Sequence, residues 1–269
     1  MSTTLSLSYS PCPNDTFIFS DIASGKLTVD DVDFDISLHD IDELNKAALE
    51  QRYDIIKVSC YNYLHIRNNY NLLDTGAAVG YGNGPLLLSS KVRSLNELKH
   101  CRIAFPGNRT TAYLLFQLLG IEIGDQIFIS YEEIIPQLKA GLIDCGVIIH
   151  ESRFTYEQSG LHCICDLGKW WENETGLPIP LGCIVIKNTI DDTLAMNIET
   201  LIRRSLSERN LDSARTDQYI LDNAQEMDPL VLNNHIELYV NEFTKSLGKA
   251  GHQAINVLAD RSKSLGLIP

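Results

Sequence analysis

The amino-acid sequence predicts a two-lobed α/β protein that binds a small anionic ligand in the cleft between its lobes. Short apolar runs alternate with amphipathic helical patterns along the chain, which signals α/β architecture rather than separate α and β regions. Two similar segments, Gly84-Pro-Leu-Leu-Leu-Ser-Ser90 and Pro180-Leu-Gly-Cys-Ile-Val-Ile-Lys187, each leave a Gly/Pro turn as a β-strand, and a βαβ-like set lies between them. Reading them as paired crossings gives a larger discontinuous lobe, residues 1–88 with 187–269, and a smaller continuous lobe, residues 89–186. A single doubly wound domain is the alternative.

Taken in order, Leu5–Tyr9 is a strand, and Ser10-Pro-Cys-Pro-Asn-Asp15 leads into a helix over Thr16–Ser24 with Asn14 or Asp15 as its cap. Val32–His39 alternates as a strand. A helix capped by Asp40 or Asp42 runs to about Gln51 on an apolar face of Ile41, Leu44, Ala47 and Ala48. Asp54–Ser59 is a short apolar strand followed by a helix near Tyr61–Asn68. The inner set is a helix near Ser94–Leu98, strand Arg102–Phe105, helices Thr111–Leu119 and Glu132–Ala140, and strand Cys145–Ile149. After the second crossing the chain is helical over Asp192–Ser207, Asp212–Ala224, Asp228–Phe243 and a last helix to about Leu265.

Composition narrows the function classes. With 44% hydrophobic and 21% charged residues the chain has enough apolar surface to fold. A formal net charge of -13 repels nucleic acid and anionic membranes, yet backbone N–H groups at a helix start still accommodate a small anion. No run of about 18 apolar residues predicts a membrane span, and the first residues lack a basic, then apolar, leader pattern. The expectation is a cytoplasmic protein. Its seven scattered cysteines read as buried reduced thiols.

Ligands of open α/β sheets lie beyond the carboxyl ends of the strands, and four such ends here are polar. The first, Ser10 to Thr16, offers helix-start N–H groups, the Ser10 hydroxyl and Asn14 to a carboxylate, or serves as a rigid turn. Cys12 is a weak nucleophile candidate, since no Cys–His spacing supports it. The second, Lys57-Val58-Ser59, brings an ammonium or a backbone edge to the cleft, unless Lys57 is an edge-strand residue reaching solvent. The third runs from Pro106 to Tyr113, where Gly107 permits close backbone approach and Thr110 or Thr111 caps a helix while offering a hydroxyl. The fourth is His150, directly after an apolar strand. Its imidazole suits a general base, with Glu151 or a backbone carbonyl to fix the tautomer, though a structural histidine fits the same place. His39, also at a strand end, is its main rival.

Metal readings fail on spacing. His150-Glu151 lacks a second histidine four positions on, and His162-Cys-Ile-Cys165 is explained by strand alternation. The loop at Gly107 lacks the Gly-Lys-Ser/Thr ending of a nucleotide-binding loop. The pair Trp170-Trp171 fits a cleft wall or core packing equally well.

Four stretches carry a resemblance: Ser10-Pro-Cys-Pro-Asn-Asp-Thr-Phe17, Gly107-x-x-Thr-Thr-Ala-Tyr113, Ile148-Ile-His-Glu-Ser-Arg-Phe-Thr-Tyr156 and Asp166-Leu-Gly-x-Trp-Trp171. In this order they resemble the 1,4-dihydroxy-6-naphthoate synthases of the futalosine route to menaquinone. The resemblance spans about residues 5–187 and, more loosely, the helical remainder. It implies a periplasmic-binding-protein-like (type II) fold with an interlobe cleft and no export. It also implies a carbon–carbon lyase that converts cyclic dehypoxanthine futalosine to 1,4-dihydroxy-6-naphthoate without metal or organic cofactor. By the same resemblance His150 is the proton acceptor, while Lys57, Val58, Ser59, Thr110 and Thr111 contact a carboxylate substrate. Val58 stands where leucine is usual, and Asn108-Arg109 where Arg-His is expected. Competing readings are a non-catalytic solute-binding or sensing protein of the same fold and the sibling chorismate dehydratase. Homodimerisation is left open.

Overall fold

A computed structural model describes residues 2–210, 217–224 and 228–268. Its strands build two sheets. The first contains β1 (Thr3–Tyr9), β2 (Val32–Leu38), β3 (Ile55–Ser59), β4 (Tyr70–Leu72), β5 (Ala78–Gly80) and β11 (Ile179–Lys187), in the order β2-β1-β3-β11-β4 with β5 also on β11. The second contains β6 (Leu86–Ser89), β7 (Arg102–Phe105), β8 (Asp125–Phe128), β9 (Cys145–Ile148) and β10 (His162–Asp166), in the order β10-β6-β9-β7-β8. β1 runs parallel to β2 and β3, and β7 parallel to β8 and β9, so the chain returns through helices between them. These are α1 (Pro13–Ala23), α2 (Ile41–Leu49), α4 (Thr111–Leu118) and α5 (Tyr131–Ala140), while α3 (Cys60–Ile66) leads from β3 to β4.

The two Gly/Pro-led segments are both strands, but β6 and β11 lie in different sheets and do not pair with each other. The chain leaves the first sheet after β5 and enters the second at β6. After β10 it returns through α7 (Leu167–Thr175) to β11. Gly84 makes that arrangement fit: a Cβ there would stand 2.2 Å from the Gly168 Cα at the start of α7. Only bare backbone allows the two segments to approach so closely.

One apolar core joins the sheets, with Val58 and Val185 from the first, Leu87 and Phe105 from the second, and Leu115 and Trp171 from the helices between. α4 is wedged in this layer, so its first six residues are all buried and it carries no polar face there. Each such Leu, Ile or Phe stabilises by about 1.5–3 kcal/mol when taken fully from water. A second core packs Phe17 and Phe19 of α1 under Leu7, Ile55 and Ile184 against Ile202 of α8 (Asp192–Glu208).

Local details correct several boundaries. α1 begins at Pro13, whose missing N–H costs nothing in the first helical turn, so Cys12 is the N-cap. Asn14 and Asp15 therefore lie within the first turn and cap nothing. The expected helix over Asp228–Phe243 is two, Pro229–Tyr239 and Glu242–Lys245, because the Asn241 side chain caps a new start through Phe243 N–H. Residues 212–216 of the expected helix Asp212–Ala224 lie outside the described residues, and Gln218–Asn223 is helical. Among the described residues no helix is long and apolar enough to cross a membrane.

Candidate active site

The four polar strand ends converge. One cleft is lined by Ser10, Asn14, Lys57, Ser59, Thr110, Thr111 and His150, drawn from the ends of β1, β3, β7 and β9. Two expected residues are not among its lining. Val58 alternates to the opposite face of β3 from Lys57 and Ser59 and is wholly buried in the core. Gly107, at φ 141°, is packed against α2, where an added Cβ would stand 2.3 Å from Asp42 Oδ1. Its glycine serves the loop's path rather than a ligand's approach.

Lys57 forms a buried ion pair. Its Nζ donates to Asp15 Oδ1 at 2.6 Å and to the Gly76 carbonyl at 3.0 Å, with both charged side chains at most 4% exposed. Asp15 also accepts from the Ser10 hydroxyl at 2.7 Å and Asn14 Nδ2 at 2.8 Å. Its negative charge in the first turn of α1 suits the helix dipole. Lys57 is thus neither a solvent-reaching edge residue nor a free cation awaiting substrate.

The threonines are similarly engaged. Thr110 caps α4 by accepting from Tyr113 N–H at 3.2 Å, and its hydroxyl donates to the Gly107 carbonyl at 2.8 Å. The Thr111 hydroxyl donates to the Leu181 carbonyl at 2.8 Å and accepts from Tyr61 N–H at 3.1 Å. Each hydroxyl carries one proton, so neither has one left for an anion. The backbone does: the first N–H groups of a helix lack intrahelical acceptors, and α4 opens onto the cleft. Ser59 Oγ accepts from Asn45 Nδ2 at 2.9 Å, which leaves its own proton to donate.

His150 occupies the tip of β9 with φ 60°, a left-handed backbone uncommon outside glycine and costing about 1–3 kcal/mol. Its ring packs edge-on to Tyr131 at 4.7 Å between centroids and parallel to His235 at 6.4 Å. Burial lowers its pKa to about 4, with the Lys57 charge pushing the same way and Asp15 opposing. The imidazole is neutral at pH 7. Cys12 Sγ sits 3.3 Å from His150 Nδ1, a contact across 138 residues that no spacing rule reveals. Burial first, then Glu151 and Asp15, raise the Cys12 pKa well above the usual thiol range. The pair is a neutral thiol beside a neutral imidazole, which disfavours Cys12 as a nucleophile.

Sequence reasoning passed over His235, on the helix Pro229–Tyr239. It is fully buried, its Nε2–H donates to Asn14 Oδ1 at 2.9 Å, and its Nδ1 lies 3.9 Å from Glu151 Oε2. The rival His39 shares a 3.0 Å hydrogen bond with the Tyr53 hydroxyl and does not line the cleft. Arg109 donates to His65 Nε2 at 2.6 Å, while Arg153 holds the Gly84 carbonyl and Asp166. Trp171 is core, its indole N–H bonded to the Pro178 carbonyl at 3.0 Å. Among the described residues no group of three His, Cys, Asp or Glu side chains is arranged to hold a metal.

Two mixed sheets with a cleft at their strand ends define a periplasmic-binding-protein-like fold. The structure superposes on a crystal structure of an Archaeoglobus fulgidus protein with a TM-score of 0.90 at 28% identity, covering 98% of each chain. It also superposes on the alkanesulfonate-binding protein of Xanthomonas axonopodis pv. citri bound to MOPS, with a TM-score of 0.76 at 15% identity over 100% of this chain and 96% of the other. The second likeness shows the fold alone. The chain belongs to the menaquinone biosynthesis family, whose model matches residues 5–264. It is 38% identical to a 1,4-dihydroxy-6-naphthoate synthase of Streptomyces coelicolor, over 99% of this chain and 95% of the relative. It is 37% identical to one of Thermus thermophilus, over 98% and 95%.

Proposed function

We propose that the protein is a carbon–carbon lyase that converts cyclic dehypoxanthine futalosine to 1,4-dihydroxy-6-naphthoate. The observation that carries this reading is a neutral imidazole held on a strained backbone in a cleft that a helix N-terminus also lines. The substrate carboxylate rests on the first N–H groups of α4 and the Ser59 hydroxyl. The hydroxyl-bearing, sugar-derived part then faces His150. With Nδ1–H turned to the Cys12 sulfur, Nε2 takes the hydroxyl proton. The resulting alkoxide collapses to a carbonyl, the adjacent C–C bond breaks, and its electron pair enters the ring that becomes the aromatic naphthoate. Movement of residues 89–186 against the rest of the chain closes the cleft and excludes water.

A positioned base contributes only about 10²–10⁴-fold, so orientation and aromatisation supply the remainder. The test is incubation of purified protein with cyclic dehypoxanthine futalosine and, separately, chorismate, following naphthoate by absorbance. Turnover of the first alone is expected. Ligand binding without turnover would favour a solute-binding role, and chorismate dehydration a sibling activity. His150→Ala should lower kcat by at least about 10².

A further inference from the structure

Asn83 lies on the crossing from β5 to β6, immediately before Gly84, and is one of the residues that line the cleft. It is 0% exposed, yet neither Oδ1 nor Nδ2 of its carboxamide has a hydrogen-bond partner. Burying an amide unpaired is unfavourable, and such groups are rare in folded proteins. The neighbourhood nevertheless holds this one firmly. Its backbone carbonyl accepts from the Tyr239 hydroxyl at 3.1 Å. Its Nδ2 lies over Gly80, where an added Cβ would stand 2.8 Å away, and the Asn241 amide closes the same space at 2.9 Å. The Asn241 NH2 does not relieve it, because its two protons go to the Val79 carbonyl at 2.9 Å and the Leu238 carbonyl at 3.4 Å.

We propose that Asn83 binds the hydroxyl-bearing, sugar-derived part of the ligand, donating from Nδ2 and accepting at Oδ1. The chemistry selects that part. A carboxylate only accepts and would leave Oδ1 unpaired, whereas hydroxyls both donate and accept and so give partners to Oδ1 as well as Nδ2. The carboxylate already has the α4 N-terminus and Ser59 in the same cleft. Two ends of one ligand are thereby fixed by chemically different groups, and His150 lines the cleft with them. This assignment rests on the lyase reading for the identity of the ligand, but not for the presence of hydroxyls on it.

The experiment compares the wild type with Asn83→Leu, close in volume, and Asn83→Ser, which fits within the amide's space. For the lyase, kcat/KM for cyclic dehypoxanthine futalosine should fall at least about tenfold in both, since two ligand hydrogen bonds are lost. Inhibition by 1,4-dihydroxy-6-naphthoate, which lacks the sugar-derived part, should be unchanged. The melting temperature of the free protein should stay constant or rise, because an unpaired buried amide has been removed. A lower melting temperature with unchanged kcat/KM would show a structural amide and overturn the proposal, as would equal weakening of substrate and product. If the wild type shows no turnover, the lyase reading fails separately. Asn83 is then judged by thermal shift with D-ribonate and with pentanoate. Loss of the ribonate shift alone in Asn83→Leu supports the assignment, and any other pattern, including no wild-type shift with ribonate, overturns it.

Discussion

Lowering the pH separates a desolvated, half-buried His150 from an ordinary one. Burial places its pKa at about 4, against an ordinary value of 6.5. At pH 5.5 about 97% of the imidazole is then neutral and competent as a base, compared with about 9% for an unperturbed histidine. The acid limb of kcat/KM, which reports the free protein, should consequently be flat from pH 8 down to about pH 5. A bound carboxylate brings negative charge into the cleft and stabilises the imidazolium, so the limb of kcat should lie at higher pH than that of kcat/KM. The same displacement acts on folding. A histidine whose pKa falls on folding binds its proton more readily in the unfolded chain, so stability declines as pH drops from about 6.5 toward 4, by up to about 3 kcal/mol. The assay is a pair of pH–rate profiles with urea melts at each pH, for the wild type and for His150→Gln. A kcat/KM limb near pH 6.5 would refute the reasoning, because it would mean that the ring is solvated in the working enzyme.

Removing one partner of the buried Lys57–Asp15 pair leaves the other charge stranded. Asp15→Asn should cost about 3–5 kcal/mol in urea unfolding, and the double variant Asp15→Asn, Lys57→Met should recover part of it. Thr111→Val deprives both the Leu181 carbonyl and Tyr61 N–H of their partner, so it should lower stability by about 1–3 kcal/mol while KM changes less than about threefold. Burial pushes the Asp40 carboxyl up to about 6, so its ionisation opposes folding as pH rises through about 4 to 6. Asp40→Asn should stabilise by about 1–3 kcal/mol at pH 7.5, with the gain gone near pH 4, in paired thermal melts.

The elements that the sequence exposes most clearly are those whose pattern is long enough to have a period. Arg102–Phe105 forms β7 at the expected residues, and Asp40, one of the two candidates, stands at the N-cap position of α2, though without a side-chain capping bond. β4 and β5 are three residues each and β8 is an exposed four-residue edge, too short for alternation to register. Most of the cleft follows from one rule, that strand ends in open sheets face ligands, and that rule located Ser10, Lys57, Ser59 and His150. It could not show what those groups bond to. The Cys12–His150 contact spans 138 residues and the Asn14–His235 bond 221, and such pairings exist only once the two sheets and the late helix have packed. The absence of the Val58 side chain and of Gly107 from the cleft lining has a related reason. A motif moves as a unit in sequence, but alternation along a strand and a loop's close packing send neighbouring residues to opposite environments.

Proton bookkeeping at the cleft then separates architecture from chemistry. The hydroxyl protons of Ser10, Thr110 and Thr111 are committed to protein acceptors, and the Lys57 ammonium gives two of its three to Asp15 and the Gly76 carbonyl. A ligand that recruited any of them would break a buried bond and lose much of what it gained. Attraction for an anion must come instead from backbone N–H groups at α4 and from Ser59, groups that need no mobile cation and tolerate the chain's net charge of -13. A lysine free in the cleft would bind carboxylate more strongly, but it would also hold His150 further from protonation and weaken it as a base. Pairing Lys57 with Asp15 removes that conflict. An anion bound at α4 would bring unpaired negative charge into the cleft, and its arrival would raise the basicity of the imidazole.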